Sequence, residues 1–105
     1  MNYLKIWDMR NRTLFEIRKT NSFEKSLKKA IKRGFDIEEL KIVISKLAND
    51  IVLDKKNKDH QLKGNMRDFR ECHIKDDWIL IYIKDRKQLI LTLVDNGTHE
   101  EMFGK

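Results

Sequence analysis

The sequence predicts an α+β domain, an antiparallel curved sheet with an N-terminal helical hairpin packed on one face. Three observations predict it. Two amphipathic helical patterns follow one another between residues 21 and 51 with almost no linker. The last forty residues then give apolar strand patterns separated by short charged turns. At 105 residues the chain is one domain in size, large enough to bury a core without cross-links.

The elements follow in order. Residues 1–12 mix Tyr3, Trp7 and Met9 with charges, show no clean period, and are set aside as an N-terminal extension. The domain itself spans 13–105. Leu14–Lys19 fits a first strand. Asn21-Ser22 offers a helix N-cap, Phe23, Leu27 and Ile31 form one helical stripe, and Gly34 is a natural stop. Asp36 and Glu39 have capping-box spacing for a second helix. Its apolar stripe is Ile37, Leu40, Val43, Ile44, Leu47 and Ile51. So short a connection packs the two helices as an antiparallel hairpin. Residues 52–65 are polar and irregular. A strand from Met66 to Ile74 follows, then a turn at Lys75-Asp76-Asp77. Trp78–Ile83 is a continuous apolar run, as in a strand buried on both faces. Asp85-Arg86-Lys87 turns the chain into the strand Leu89–Val94. Asn96-Gly97 ends that strand, and Thr98–Phe103 has room for one helical turn.

Composition limits the function. There are 23 Lys+Arg against 17 Asp+Glu, for a net charge of +6. The excess lies in residues 1–50, and Arg18–Arg33 holds seven basic residues and one acid. Such a stripe suits a polyanion, and Lys28 and Lys32 on it are candidate RNA contacts; a solvated helix face is the plainer alternative. The single cysteine, Cys72, excludes an internal disulfide and a cysteine-based zinc site. No apolar run reaches the ~18 residues of a membrane span, and residues 1–7 lack the pattern of a secretory signal. The expected compartment is the cytoplasm, with no membrane partner.

The three histidines, His60, His73 and His99, flank the C-terminal strands, where a meander can bring them to one surface. Imidazoles titrate near neutrality and are natural general acids and bases. A zinc site is one reading of three histidines, but no H-x-x-x-H or H-E-x-x-H spacing supports it, and no metal is expected. RNA cleavage by the 2′-hydroxyl needs a base, an acid and cations for the developing charge. Lys58, Lys63, Arg67, Arg70 and Asp77 lie around the histidines in sequence. Trp78, Tyr82 and Phe103 could stack on unstacked bases, although the first two sit in an apolar strand and suit a core equally well.

Four blocks carry a resemblance. They are Asp59-His60-Gln61-Leu62-Lys63-Gly64, Phe69-Arg70-Glu71-Cys72-His73-Ile74, Asp77-Trp78-Ile79-Leu80-Ile81-Tyr82 and Gly97-Thr98-His99-Glu100-Glu101-Met102-Phe103-Gly104. In this order the sequence resembles the YafQ branch of the RelE/ParE superfamily of type II toxin–antitoxin toxins, from about Leu14 to Gly104. The resemblance implies a RelE-like fold and a metal-independent mRNA interferase that cuts mRNA in the ribosomal A site and so inhibits translation. It implies an acidic cognate antitoxin as partner, with operator DNA reached only through the antitoxin complex. It carries functional positions onto His60, His73, Asp77, His99 and Phe103. His99 is then the general acid, Asp77 or His73 the general base, His60 a positioning group near the phosphate, and Phe103 a stacking surface. Lys63, Arg67 and Arg70 become candidate phosphate contacts, Arg70 being equally an outward strand charge.

Gln61 and Asp76 stand where the family often has proline. Asp95-Asn96 stands where a basic residue often precedes the G-T-H block, and an acid facing the site there would weaken phosphate binding. A non-catalytic or gyrase-directed member of the same fold is the alternative; it has no need of the three histidines and Asp77.

Overall fold

A computed structural model describes residues 13–104, so the N-terminal extension lies outside the described residues. Its elements are β1 (Glu16–Lys19), α1 (Asn21–Lys32), α2 (Ile37–Ala48), β2 (His60–Gln61), β3 (Arg70–Lys75), β4 (Trp78–Asp85), β5 (Ile90–Gly97) and α3 (His99–Phe103). The strands form one five-stranded sheet in the order β1-β5-β4-β3-β2. The α+β class and the helical hairpin are as the sequence predicts.

Local chemistry explains the helix limits. Thr20, not Asn21-Ser22, caps α1: its hydroxyl accepts from the Phe23 amide at 3.0 Å and donates to the Val94 carbonyl at 2.6 Å. One residue thus starts the helix and ties it to β5. Asp36 caps α2, accepting from the Glu38 amide at 3.0 Å. Phe23, Leu27 and Ala30 of α1 and Leu40, Val43, Ile44 and Leu47 of α2 are buried on the sheet. They meet Cys72, Trp78, Leu80, Tyr82, Leu91 and Leu93 in one core. Burying each large aliphatic contributes roughly 1.5–3 kcal/mol.

The sheet differs from the sequence reading in four places. β1 pairs parallel with β5, Glu16 opposite Ile90, which no local pattern announces. The segment 52–65, read as irregular, contains the edge strand β2, with His60 opposite Glu71. β3 begins at Arg70 rather than Met66, because Gly64–Met66 forms a 3-10 turn. β5 continues through Asn96-Gly97: Asn96 is buried, accepts from the Trp78 indole N–H at 3.1 Å and donates to the Phe23 carbonyl at 3.3 Å. Its turn-forming chemistry is overridden by those tertiary hydrogen bonds.

Strand alternation sorts the side chains into two faces. Cys72, Leu80 and Tyr82 point to the helices. Glu71 and His73 point the other way, and His60, directly opposite Glu71, joins them. Trp78 and Tyr82 are 4% and 1% exposed, so neither is a stacking surface for RNA. Among the described residues no helix is long and apolar enough to cross a membrane.

Candidate functional site

The site is built on the helix-free face of β2 and β3 and closed by α3 and the β3–β4 turn. α3 is short but firmly started. Thr98 accepts from the Glu101 amide at 3.1 Å, and the Glu101 carboxylate accepts from the Thr98 amide at 2.9 Å, a complete capping box. The other Glu101 oxygen accepts from Arg33 at 2.6 Å, binding α3 to the end of α1. Gly97, at φ +155°, leaves room for this cap: a Cβ there would lie 3.0 Å from the Glu101 Oε1 atom. His99 is the first residue of the helix so fixed.

The His99 ring bridges two carboxylates. Its Nδ1 lies 2.9 Å from Asp77 and its Nε2 lies 2.8 Å from Glu71. A neutral imidazole has only one N–H, so both contacts are hydrogen bonds only in the imidazolium. The bonds to Asp77 and then Glu71 hold the His99 pKa above its ordinary value. The same bond holds the Asp77 carboxyl below the usual carboxylate range. The Glu71 side chain is only 5% exposed, and its carboxylate meets that ring at 2.8 Å.

His73 has the opposite character. Its Nδ1 is 2.8 Å from the Asp76 carbonyl oxygen, which can only accept. The Nδ1 therefore carries a proton and is held by the backbone. Asp76 reaches this position with φ +50°, in the left-handed region. His60 is tied in the same way, its Nδ1 2.6 Å from the Lys58 carbonyl. The His73 and His99 ring centroids are 5.4 Å apart, and the Phe103 ring is 6.0 Å from that of His99. An imidazole held between carboxylates, a second imidazole and a part-exposed aromatic ring thus share one open surface.

Of the residues singled out in the sequence, the structure brings Asp77, His73, His99 and Phe103 together and sets His60 on the same face. Arg70 is on the other face, donating to the Tyr82 hydroxyl at 3.1 Å and paired with Asp59 at 3.3 Å. Asp59 in turn accepts from Tyr82 at 2.5 Å. The aspartate and arginine of the motif blocks therefore lock the sheet edge beside His60. Lys28 and Lys32 lie on α1, beyond the sheet from the histidines, while Lys63 and Arg67 are exposed on the β2–β3 connection. Asp95 turns to α1, accepting from Ser22 at 3.0 Å and Ser26 at 2.7 Å, and does not face the histidines. Glu71 was absent from the sequence candidates. Its signal was available: it stands two residues before His73, hence on the same face of one strand.

Glu71, His73 and His99 also place one carboxylate oxygen and two ring nitrogens within 4.8 Å of one another. A carboxylate with two imidazoles fits zinc, copper or nickel by donor type.

The model of the family described as "Bacterial toxin of type II toxin-antitoxin system, YafQ" matches residues 15–104. The chain belongs to the YafQ toxin family. Among YafQ relatives, the mRNA interferase toxin YafQ of Escherichia coli K12 is 36% identical over 90 residues, covering 85% of this chain and 96% of that protein. A metal-bound toxin from Helicobacter pylori superposes with a TM-score of 0.80 at 43% identity, over 85% of this chain and 99% of that one. The toxin of the E. coli DinJ-YafQ toxin–antitoxin complex superposes with a TM-score of 0.79 at 34% identity, over 87% and 99%. The YafQ family model begins at Phe15, the first buried residue of the described domain, and takes in every histidine.

Proposed function

We propose that this YafQ-family toxin is an endoribonuclease that cuts mRNA on the ribosome, with His99 as general acid and His73 as general base. The observation that carries the reading is the His99 ring between two carboxylates, 5.4 Å from a second imidazole whose Nδ1 is held by a backbone carbonyl. The His73 Nε2 takes the proton from a ribose 2′-hydroxyl. The 2′-oxygen forms a bond to its own phosphorus, and the bond from phosphorus to the 5′-oxygen breaks. The His99 imidazolium gives its Nε2 proton to that departing oxygen. The products are a 2′,3′-cyclic phosphate and a free 5′-hydroxyl.

Asp77 has a reduced affinity for protons, which favours His73 over Asp77 as the base. Its part is to keep His99 charged and oriented. His60 and Phe103 flank the reacting phosphate and a neighbouring base. A non-catalytic member of the fold has no use for a His99 ring held between two carboxylates beside a second histidine, which supports the nuclease over the gyrase-directed alternative.

The ribosome enters through positioning. The Asp77 side chain is 61% exposed and that of His99 36%, so the site is an open surface rather than a cleft that aligns a strand. Alignment can be worth ~7–11 kcal/mol and must come from what holds the mRNA. The relatives named for mRNA cleavage and for a DinJ complex support the same substrate and a small acidic antitoxin as inhibitor. Any operator binding would run through that antitoxin.

A metal ion in this chain would be held by Glu71, His73 and His99. Bound there it would supply a Lewis acid near the phosphate. It would also occupy the nitrogens that the acid–base pair uses, so the proposed reaction is the ion-free one. Purified protein added to ribosomes programmed with a defined mRNA, with and without a chelator selective for zinc, copper and nickel and with free Mg²⁺ held constant, tests the reading. Cleavage that persists in chelator is expected. An intact message, or cleavage only with added metal, contradicts it.

A further inference from the structure

The loop between α2 and β2 touches both histidines of the β2–β3 face, and it also carries lysines that no part of the mechanism uses. Asn57, 6% exposed, donates its side-chain N–H to the His73 carbonyl at 2.7 Å. Lys58 takes the left-handed conformation, φ +47°, which aims its carbonyl at the His60 Nδ1. Beside them is a hollow of about 320 Å³ lined by Lys56, Lys58 and Lys75, by His73, and by the carboxylates of Glu39 and Asp76.

Several cations of this protein are already paired. Those at the back edge of the sheet are spoken for: Lys84 and Arg86 pair with Asp50, and Arg70 with Asp59. Among the described residues, Lys56, Lys58 and Lys75 pair with no carboxylate, although Glu39 and Asp76 line the same hollow. Three lysines thus line one hollow without closing an ion pair, beside a histidine. A phosphodiester would supply the missing charge and the hydrogen-bond acceptors.

We infer that this hollow is a phosphate subsite for the RNA backbone on the 5′ side of the cleaved bond. The inference rests on the assignment of His73 as the base. The 2′-hydroxyl that His73 deprotonates belongs to the nucleotide upstream of the cut, so the backbone phosphate nearest the His73 side is that nucleotide's own 5′ phosphate. Because Asn57 and Lys58 are bonded to the strands carrying His73 and His60, filling the hollow also steadies those rings.

The test uses the whole chain and a short single-stranded RNA made uncleavable by one 2′-deoxy substitution. Its affinity is measured across salt concentrations for the wild type, for K56A/K58A/K75A and for the charge reversal K75E. A K25A/K29A variant on α1 serves as control. The site variant is expected to bind more weakly and to flatten the log Kd against log salt plot by about 2, at ~0.7 per lysine on a single strand. A neutral methylphosphonate placed 5′ of the 2′-deoxy nucleotide should weaken wild-type binding but not that of the site variant; one placed two phosphates downstream should weaken both alike. Equal affinity and slope for wild type and site variant overturn the subsite, as does a wild type that does not bind the probe. Loss that follows the α1 control instead also overturns it. A wild type that binds through the three lysines yet never cleaves ribosome-bound mRNA leaves the subsite standing and removes the nuclease reading, so the two failures are distinguishable.

Discussion

The Nε2 atom of His99 lies 2.8 Å from a carboxylate oxygen of Glu71, a buried acid on the strand next to the ring's own anchor, Asp77. The bonds to Asp77 and Glu71 favour the charged ring, and this sets the pH behaviour. The raised His99 pKa means that the contacts stabilise the fold fully below the ordinary histidine value of 6.5. That stability is lost as pH rises through the raised native value. A reaction needing the His99 proton falls over the same range. Glu71→Gln and Asp77→Asn should each move the alkaline limb of the rate profile to lower pH. An NMR titration of the His99 ring should show the same downward shift. An unmoved limb in both variants would mean that the ring does not supply the proton.

His73→Ala and His99→Ala should each lower cleavage by roughly 10²–10⁴, the range of a lost acid or base, with little change in melting temperature. His99→Gln should retain the RNA affinity of the wild type. A structural histidine predicts the reverse pattern, a fall in melting temperature with cleavage intact.

Arg33 sits far from the strands of the site, yet its 2.6 Å contact holds the carboxylate that caps α3. Arg33→Ala should lower the cleavage rate several-fold while leaving RNA affinity nearly unchanged, because it loosens His99 rather than a phosphate contact. Restoring the pair in reverse, R33E/E101R, should not rescue the rate, since an arginine at 101 cannot accept from the Thr98 amide. Gly97→Ala should act like Arg33→Ala, the added Cβ pressing on Glu101. Rates measured beside circular dichroism melts separate this from unfolding.

The helical hairpin was legible because its apolar residues recur at the helical period and its second N-cap is local. So were β4, as a continuous apolar run, and the motif residues that meet at His99. What was not legible depends on contacts between distant segments. The parallel pairing of β1 with β5 joins residues more than seventy positions apart, and β2 is two residues long. Asn96 reads as a turn residue and is instead held in the sheet by Trp78 and Phe23. Arg70 alternates with Glu71 on one strand, so a single register decides which of them faces the histidines; charge type alone favoured the arginine, and the register selects the glutamate.

The Asp59–Tyr82–Arg70 cluster should be a stability feature. The Tyr82 ring is buried, and burial pushes its hydroxyl pKa up. Tyr82→Phe removes the hydroxyl that Asp59 accepts from and that Arg70 donates to, leaving only the Arg70–Asp59 pair, and should cost about 1–3 kcal/mol in chemical denaturation. Cleavage by the folded variant should stay within a few-fold of the wild type. A neutral effect on unfolding would show that water replaces the hydroxyl fully.

The central claim is a metal-free transfer of protons by His73 and His99 around a 2′-hydroxyl attack. The ends of the RNA report it most directly. Messages cut by the purified protein on programmed ribosomes, in a chelator selective for transition metals with free Mg²⁺ kept constant, should be mapped for terminal chemistry by phosphatase, kinase and ligase sensitivity. The account predicts a 2′,3′-cyclic phosphate upstream and a 5′-hydroxyl downstream, with His99→Gln leaving the message whole. A 5′-phosphate and a free 3′-hydroxyl would mean that water or a metal-bound hydroxide attacked instead, and would contradict it.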